Sequence, residues 1–279
     1  MTESIQDLDR SFHKRILTAI VCAPVIIIVF WIRGLALYVL LASIVALSQR
    51  ELYLMLHERM NAFHRIVGYL AGLGILTDVF FGRSVHLAGI IIASLIAYFV
   101  YGVFFGREER LAPMANALFV TLYPALFLSF ILKIGLMNDT LFDGDIRIVP
   151  LYMLLIVWLF DTTSYFIGIR WGKRPFFPRI SPKKTLEGFW GGLVSVITAG
   201  TVMSLMNQHT FAWHYCAIAV ITALAGQVGD LAESVIKRET GVKDSSHILP
   251  GHGGILDRFD SLIFAAPAVY GYLVISSTF

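Results

Sequence analysis

Charged residues are scarce in this chain, and their scarcity excludes an ordinary soluble fold. Only 15% of the 279 residues are Asp, Glu, Lys or Arg, whereas 57% are hydrophobic. Soluble domains carry about a quarter charged residues and roughly half apolar ones. The mean hydropathy of +0.74 and the lack of a fixed-period repeat predict a single all-α polytopic membrane domain over residues 1–279.

Cysteine and net charge are also in short supply. The two cysteines, Cys22 and Cys216, fall inside apolar runs, where a thiol behaves as a small packing residue. We therefore expect neither a structural disulfide nor a cysteine-bound metal. The formal net charge is only +3, which gives no reason to expect a nucleic-acid partner.

Long apolar runs take the place of charge along most of the chain. A hydrocarbon core about 30 Å thick needs roughly 20 apolar residues in helical form. Two of the runs, 65–82 and 188–206, are the least certain because they are rich in glycine. Nine runs of suitable length lie at about 15–33, 35–56, 65–82, 85–105, 112–135, 147–170, 188–206, 211–236 and 258–278.

Lys and Arg are distributed unevenly between the two ends of these spans. Basic clusters lie at alternate connections, and the opposite connections hold few basic residues or the acidic stretch 139–145. Positive charge is retained on the cytoplasmic side, so we expect an integral membrane protein with a cytoplasmic N-terminus and the C-terminus outside. The polar stretches 170–187 and 237–257 would then both face the cytoplasm, which is where function should be sought.

The first polar stretch is preceded by an acid, Asp161, within an apolar run. A carboxylate inside a span faces the bundle interior or water and is by default a functional hypothesis. The alternative is an aspartate near the end of a helix, close to the lipid headgroups.

The loop that follows Asp161 is basic and ends in a sequence that predicts a helix start. Ser181 can cap this helix and Pro182 suits its first position. Lys183 and Lys184 would then combine positive charge with exposed N–H groups, which suits a polyphosphate. The alternative is a solvated basic loop that attracts lipid headgroups.

The second polar stretch carries acids on two predicted helices. Asp230 shares a helix face with Glu233, Ser234 and Lys237 by its spacing, and Asp257 and Asp260 open the last span. Three carboxylates on two helices could converge on Mg²⁺ together with substrate phosphates, so we predict Asp230, Asp257 and Asp260 as metal ligands. The alternative is that the last two acids only stabilise the start of their helix and pair with Arg258.

A glycine-rich turn and several cations lie between these acids. Gly253 and Gly254 let backbone approach a ligand closely. His252 could contact phosphate or donate a proton, although a lone histidine is often structural. Lys237, Arg238 and Lys243 could neutralise phosphate charge.

Residues 234–260 resemble the signature of the phosphatidate cytidylyltransferase family. They read Ser-Val-Ile-Lys-Arg, then after four residues Lys-Asp-Ser, then Leu-Pro-Gly-His-Gly-Gly-Ile-Leu-Asp-Arg-Phe-Asp. The Asp161 region and Ser181-Pro182-x-Lys184-Thr185 also resemble the family. The likeness is specific over about 155–265 and only topological before it, so we expect N-terminal spans at about 15–135 and a catalytic region at about 147–279.

The resemblance implies the reaction of CTP with phosphatidate to give CDP-diacylglycerol and pyrophosphate. It also implies a need for Mg²⁺, allows K⁺ as a second cation, and suggests a homodimer among membrane lipids. We expect the membrane to be the bacterial inner membrane. The candidate set comprises catalytic Asp230, Asp257, Asp260, Lys237 and Arg238; phosphate-binding Ser181, Lys183, Lys184, Lys243, His252, Gly253, Gly254 and Arg258; and, as further candidates, Asp161 and Ser234.

Two other classes of protein use acids within a membrane. A CDP-alcohol phosphotransferase would need an Asp-Gly followed by Ala-Arg and two later aspartates, and Asp143-Gly144 lies on the wrong side for this. A cation-coupled transporter would place acids near mid-span and show a repeat between its halves. Neither pattern is found in the sequence.

Overall fold

The computed structural model describes residues 20–56, 60–82, 84–105, 111–137, 146–206, 212–246, 248 and 253–277. Within these ranges the regular secondary structure is helical apart from one short β-hairpin. The helices are α1 (Ile20–Ile32), α2 (Gly34–Met55), α3 (Ala62–Gly82), α4 (Leu87–Phe105), α5 (Leu111–Gly135), α6 (Val149–Trp171), α7 (Leu186–Met206), α8 (Ala212–Glu239) and α9 (Leu256–Ser276), and the hairpin strands are β1 (Pro175–Phe177) and β2 (Ser181–Thr185).

Eight of the helices, α2 to α9, are long and apolar enough to cross a membrane. They carry large apolar side chains on their outer faces, such as Phe104 and Trp190, which are 74% and 59% exposed. The prediction of an all-α polytopic membrane protein is therefore confirmed, with eight of the nine spans. The first predicted span is described only from Ile20, as the shorter helix α1.

The orientation of the chain stays a prediction. The residues on which it depends most, including the basic clusters at 13–15 and 107–110 and the acidic stretch 139–145, lie outside the described residues.

The chain divides into two compact units. The first comprises Met1–Leu126 and Thr240–Phe259, and the second comprises Phe127–Glu239 and Asp260–Phe279. Helices α5 and α9 therefore each contribute residues to both units. The single domain expected over residues 1–279 stays a prediction.

In the first unit, glycines of α3 make room for polar side chains of α2. A Cβ on Gly68 would lie 1.8 Å from the Tyr53 hydroxyl, and one on Gly72 would lie 2.5 Å from Nε2 of Gln49. Gln49 Nε2 uses this room to donate to the carbonyl of Gly68 at 3.1 Å. The glycines that made this span uncertain in the sequence thus allow two helices to approach and pair a buried amide.

In the second unit, α7 presents a face of small residues to its neighbours. Gly188, Gly192, Val196 and Gly200 recur every four residues and are all buried. A Cβ on Gly188 would lie 2.6 Å from the carbonyl oxygen of Ser164 in α6, and one on Gly200 would lie 2.7 Å from Cα of Cys216 in α8. Small residues at this spacing are typical of closely packed membrane helices, so the second glycine-rich span is confirmed as well.

The hairpin before α7 corrects one prediction. Ser181 and Pro182 do not begin a helix: they lie in β2, which pairs antiparallel with β1 in the register Phe177↔Ser181 and Pro175↔Thr185. Pro182 disfavours helical backbone at the residue before it, and pairing with β1 holds the segment in an extended conformation. Helix α7 begins at Leu186 instead.

A different side chain caps α7. The hydroxyl of Thr185 accepts the N–H of Gly188 at 3.2 Å, which is the usual N-cap hydrogen bond. Glu187 does lie in the first turn, as predicted. Its Oε2 accepts the backbone N–H groups of Lys173 and Arg174 at 3.0 and 3.2 Å, so it closes the base of the hairpin.

Replacing Gly200 by alanine tests the packing of α7. The new Cβ would lie 2.7 Å from backbone of α8, which cannot move aside as a side chain can, so we expect a loss of about 1–3 kcal/mol in stability. The measurement is the melting temperature of the detergent-purified protein. Gly271→Ala is the matched control, because nothing lies within 4 Å of its Cβ and alanine favours a helix by about 1 kcal/mol. Equal melting temperatures for the two variants would contradict the packing described.

Candidate active site

A cavity of about 560 Å³ lies in the second unit, where α6, the hairpin, α7 and α8 meet. One part of its wall is aromatic and aliphatic, and Phe176 of β1 stacks there on Phe189 of α7 with ring centroids 4.8 Å apart. The other part is charged. The cavity is lined by Phe160, Asp161, Ser164, Tyr165, Gly168, Ile169, Phe176, Lys183, Lys184, Thr185, Gly188, Phe189, Gln227 and Asp230.

The charged part of the wall contains an ion pair between two predicted site residues. The ammonium of Lys184 on β2 donates a hydrogen bond to Oδ2 of Asp230 on α8. Both side chains remain partly exposed, at 26% and 28%. The pair therefore lies at the surface of the cavity, where a ligand can reach either partner.

Asp260 on α9 adds a second acid to this cluster. It is only 7% exposed, its carboxyl interacts electrostatically with Asp230 and Asp161, and it contacts the side chain of Glu233. Close approach of α9 is possible because residue 229 is glycine: a Cβ there would lie 2.4 Å from the carbonyl oxygen of Asp260. The structure thus brings together Asp161, Asp230 and Asp260, acids from three different helices.

Asp161 lies in the interior of α6, which extends from Val149 to Trp171. The alternative of an aspartate at the end of a helix is therefore wrong. Its place on the cavity wall favours the functional interpretation.

The predicted catalytic cations Lys237 and Arg238 have protein partners. Lys237 donates to Oε2 of Glu233 at 2.8 Å, and these side chains are only 14% and 1% exposed. Nε of Arg238 donates to the carbonyl oxygen of Ile180 at 3.3 Å, so it joins the end of α8 to the hairpin. Ser234, on the same helix, is buried.

Two residues of the cavity were not predicted from the sequence. Ser164 and Gln227 both line it, and Ser164 Oγ and Gln227 Nε2 are buried with no hydrogen-bond partner among the described residues. Each lies three residues from a cavity acid on the same helix, Ser164 after Asp161 and Gln227 before Asp230. The three-residue spacing that puts side chains on one face was the signal that could have identified them.

In the first unit, Asp257 organises the segment that precedes α9. Its Oδ2 accepts the N–H of Ser245 at 3.0 Å, the hydroxyl of Ser245 at 2.8 Å and the N–H of Gly254 at 2.8 Å. Gly253 has a φ of +80°, a conformation that glycine adopts without strain. Asp257 also lies in the first turn of α9, as the alternative interpretation expects, and its pairing with Arg258 stays a prediction.

Other predicted residues of this segment face outward or lie beyond the described ranges. Lys243 and Arg258 have exposed side chains. His252 lies outside the described residues, so its predicted role in proton donation or phosphate contact stays a prediction.

A buried acid of the first unit, Glu51 on α2, also belongs to this segment. Its carboxylate accepts hydrogen bonds from Ser245, Ser246, Ile255 and Leu256. It was not predicted as a site residue, although it is an acid within a predicted span, which by itself is a signal of function.

The predicted metal ligands have the oxygen donors that Mg²⁺ prefers, but they do not form a complete coordination site among the described residues. No three Asp, Glu, His or Cys side chains of the described ranges are placed to hold a metal ion. Mg²⁺ is commonly held by one or two carboxylates plus substrate phosphates and water, and the hard oxygens of Asp230 and Asp260 suit that mode. Asp257 belongs to the first unit, so the complete set of three stays a prediction.

Comparison with known proteins identifies the family. Residues 13–276 match the model of the cytidylyltransferase family. A phosphatidate cytidylyltransferase of Bacillus subtilis is 46% identical over 127 residues, which is 45% of this chain and 47% of the relative. Proteins of the same name from Staphylococcus epidermidis and Staphylococcus aureus are 49% and 51% identical over 118 residues, 42% of this chain and 45% of each relative.

The matched segment thus spans about half the length of these curated relatives. The family model extends much further, over residues 13–276, and takes in both the cavity of the second unit and the segment before α9. The resemblance found in the sequence is confirmed, and the chain belongs to the cytidylyltransferase family.

Proposed function

We propose that this protein is a phosphatidate cytidylyltransferase, which converts CTP and phosphatidate to CDP-diacylglycerol and pyrophosphate. The observation that carries the proposal is the cavity in which Lys184 and Asp230 form an accessible ion pair beside Asp161 and Asp260. Cations and carboxylates on one wall suit phosphates and a divalent cation, and an apolar wall beside them suits a lipid. The names of the relatives support the same reaction.

In this reaction an oxygen of the phosphatidate phosphate attacks the α-phosphorus of CTP. A new P–O bond forms there, the bond from the α-phosphorus to the bridging oxygen of the β-phosphate breaks, and pyrophosphate leaves with the electron pair. The nucleophile is already anionic, so the protein needs no strong base. Its contribution is to position the reactants and to neutralise charge.

The ion pair on the cavity wall allows a substrate phosphate and a cation to bind by replacing one partner each. A phosphate can take the place of Asp230 on the ammonium of Lys184, and a cation can take the place of Lys184 on the carboxylate of Asp230. Because both side chains are partly exposed, the exchange does not leave a charge buried alone. Lys183, which also lines the cavity, adds a second positive charge for the phosphates.

Mg²⁺, when bound, would neutralise charge on the nucleotide phosphates as they react. Asp230 and Asp260 would hold it, with Asp257 as the third predicted ligand. The carboxylate cluster supports this assignment, because the repulsion that Asp260 experiences from Asp230 and Asp161 would be relieved by a bound cation. K⁺ as a second cation and a homodimer remain part of the proposal through the family resemblance.

The proposal places the catalytic groups on the cytoplasmic side, with the N-terminus in the cytoplasm and the C-terminus outside. CTP would then arrive from the aqueous side and phosphatidate from the membrane, between helices. The asymmetry of Lys and Arg along the sequence supports this orientation.

The reaction itself is tested with detergent-purified protein given CTP, phosphatidate and Mg²⁺. We expect release of pyrophosphate and formation of CDP-diacylglycerol only when all three are present. Omission of each component in turn is the control. A folded protein that gives no product with the complete mixture would refute the proposed reaction.

Asp260→Asn tests the carboxylate cluster. The amide keeps the shape of the side chain but removes the charge, so we expect kcat to fall about 10²–10³-fold, as when one electrostatic contact to a transition state is lost. Glu239→Gln is the control, because Glu239 is an exposed acid at the end of α8. An Asp260→Asn protein with full CTP-dependent activity would remove Asp260 from the site.

Gln227→Leu tests whether the buried amide of the cavity binds substrate. Without ligand, Nε2 of Gln227 has no partner among the described residues, and removing such a group should raise stability by about 1–3 kcal/mol. Loss of its hydrogen bond to substrate should raise KM about tenfold, the equivalent of about 1.4 kcal/mol. The measurements are the melting temperature and the KM for CTP and for phosphatidate.

The control for this variant is Gln49→Leu in the first unit. Gln49 Nε2 donates to the carbonyl of Gly68, so its removal should lower the melting temperature. If Gln227→Leu lowers the melting temperature too and leaves both KM values unchanged, Gln227 is a packing residue.

A further inference from the structure

Glu51 is a fully buried acid on an N-terminal helix of the first unit. It lies near the end of α2 (Gly34–Met55) and is 0% exposed. Burying a carboxylate costs free energy unless hydrogen bonds or opposite charges replace its hydration. Among the described residues, the hydrogen bonds that it accepts come from Ser245, Ser246, Ile255 and Leu256, 194–205 positions further along the chain.

Both carboxylate oxygens of Glu51 are used. Oε1 accepts the hydroxyl of Ser246 at 2.5 Å and the N–H of Ile255 at 2.9 Å. Oε2 accepts the N–H of Leu256 at 2.8 Å and lies 3.1 Å from the hydroxyl of Ser245. Leu256 is the first residue of α9, so the acid lies at the positive end of that helix and satisfies N–H groups that the helix itself leaves open.

The same segment is held from its other side by Asp257. The Ser245 hydroxyl lies between the two acids, 3.1 Å from Glu51 Oε2 and 2.8 Å from Asp257 Oδ2. The hydroxyl has one proton and can donate it to only one of the two carboxylates at a time. The two acids are therefore coupled through Ser245. Asp257 is a predicted metal ligand, and Glu51 determines part of its surroundings.

Glu51 also explains a glycine of the family signature. A Cβ on Gly254 would lie 2.7 Å from both carboxylate oxygens of Glu51 and 1.9 Å from Oγ of Ser245. A side chain at this position would therefore force the segment away from the acid. A residue larger than glycine would have to displace the Ser245 hydroxyl or the Glu51 carboxylate from the positions they hold here.

We propose that Glu51 is a positioning residue of the cytidylyltransferase reaction. It holds the described part of the segment before α9 (Ser245, Ser246, Ile255 and Leu256), and Asp257 with it, in the geometry that binds substrate. Glu51 acts through this segment and does not touch substrate. The inference rests on the proposed function for its effect on the reaction, but the holding of the segment can be tested without it. The proposal assigns a role in catalysis to α2, a helix that lies outside the predicted catalytic region at 147–279.

Glu51→Gln in the full chain is the test. Glutamine fills the same space but offers one acceptor oxygen, and its NH₂ group would face N–H and O–H donors of the segment. Residues that orient a metal ligand typically contribute about 10–100-fold in metal affinity or activity. We therefore expect kcat/KM for CTP to fall at least about tenfold, and the Mg²⁺ concentration that gives half-maximal rate to rise.

A double-mutant cycle separates this role from a general loss of stability. Ser246→Ala removes one donor to Glu51 and also the acceptor of the Ile248 N–H, so its effect on kcat/KM should become smaller when Glu51 is already Gln. Gln49→Leu is the matched control: it removes a buried polar group two positions away on α2, whose partner is a carbonyl of α3, and it should leave the Mg²⁺ dependence unchanged. Equal changes in Mg²⁺ dependence for Glu51→Gln and Gln49→Leu, or additive effects in the cycle, would overturn the proposal.

Hydrogen–deuterium exchange gives a readout that does not require activity. In Glu51→Gln the amides of Ile255 and Leu256 should exchange faster than in the unaltered protein, whereas Gln49→Leu should not change them. If the unaltered protein makes no CDP-diacylglycerol, the proposed function fails, and faster exchange in Glu51→Gln alone still supports the holding role. Unchanged exchange of these amides in Glu51→Gln would overturn the inference whatever the activity.

Discussion

A carboxylate among apolar helices must be met by a cation or by hydrogen-bond donors, and both units of this protein are arranged around that constraint. In the first unit Glu51 is met by hydroxyl and N–H groups of the segment before α9, and in the second unit Asp230 is met by Lys184. Because an unpaired buried charge costs several kcal/mol, the fully buried Glu51 fixes the position of the segment that supplies its donors. Asp230 is partly exposed, so its pairing with Lys184 constrains the hairpin less strongly. Glycines make the close approaches possible: Gly254 brings backbone against Glu51, and Gly229 brings α8 against a carbonyl oxygen of α9.

The spans could be predicted from the sequence because apolar composition and length are local properties. The helices α2 to α9 follow from them, including the glycine-rich α3 and α7. The hairpin could not be predicted in the same way: Pro182 suits a helix start as well as an extended strand, and only pairing with β1 decides between them. The local sequence around Pro182 allows either conformation, and the hydrogen-bonded pairing with β1 determines which one forms.

The candidate site shows the same division. Asp161, Asp230 and Asp260 could be identified because an acid in an apolar run is conspicuous wherever its partners lie. Glu51 meets the same criterion, yet it was missed because its partners are far along the chain and its own surroundings resemble an ordinary span. Gln227 was missed for another reason: an uncharged amide gives little signal, and its importance depends on a cavity that three other elements complete.

Two ion pairs that involve α8 differ in how deeply they are buried, and this difference bears on which of them a ligand can open. Lys237 and Glu233 are 14% and 1% exposed, whereas Lys184 and Asp230 are 26% and 28% exposed. Removing one partner of a buried pair costs about 3–5 kcal/mol, whereas an exposed pair contributes about 1 kcal/mol or less. A ligand can therefore replace the partner of Lys184 or of Asp230 at a smaller cost than the partner of Lys237, whose ion pair is more deeply buried. Lys237 of the signature thus pairs with an acid of its own helix, and its catalytic role stays a prediction. We propose that Lys184 on the hairpin is the lysine that exchanges its partner for phosphate.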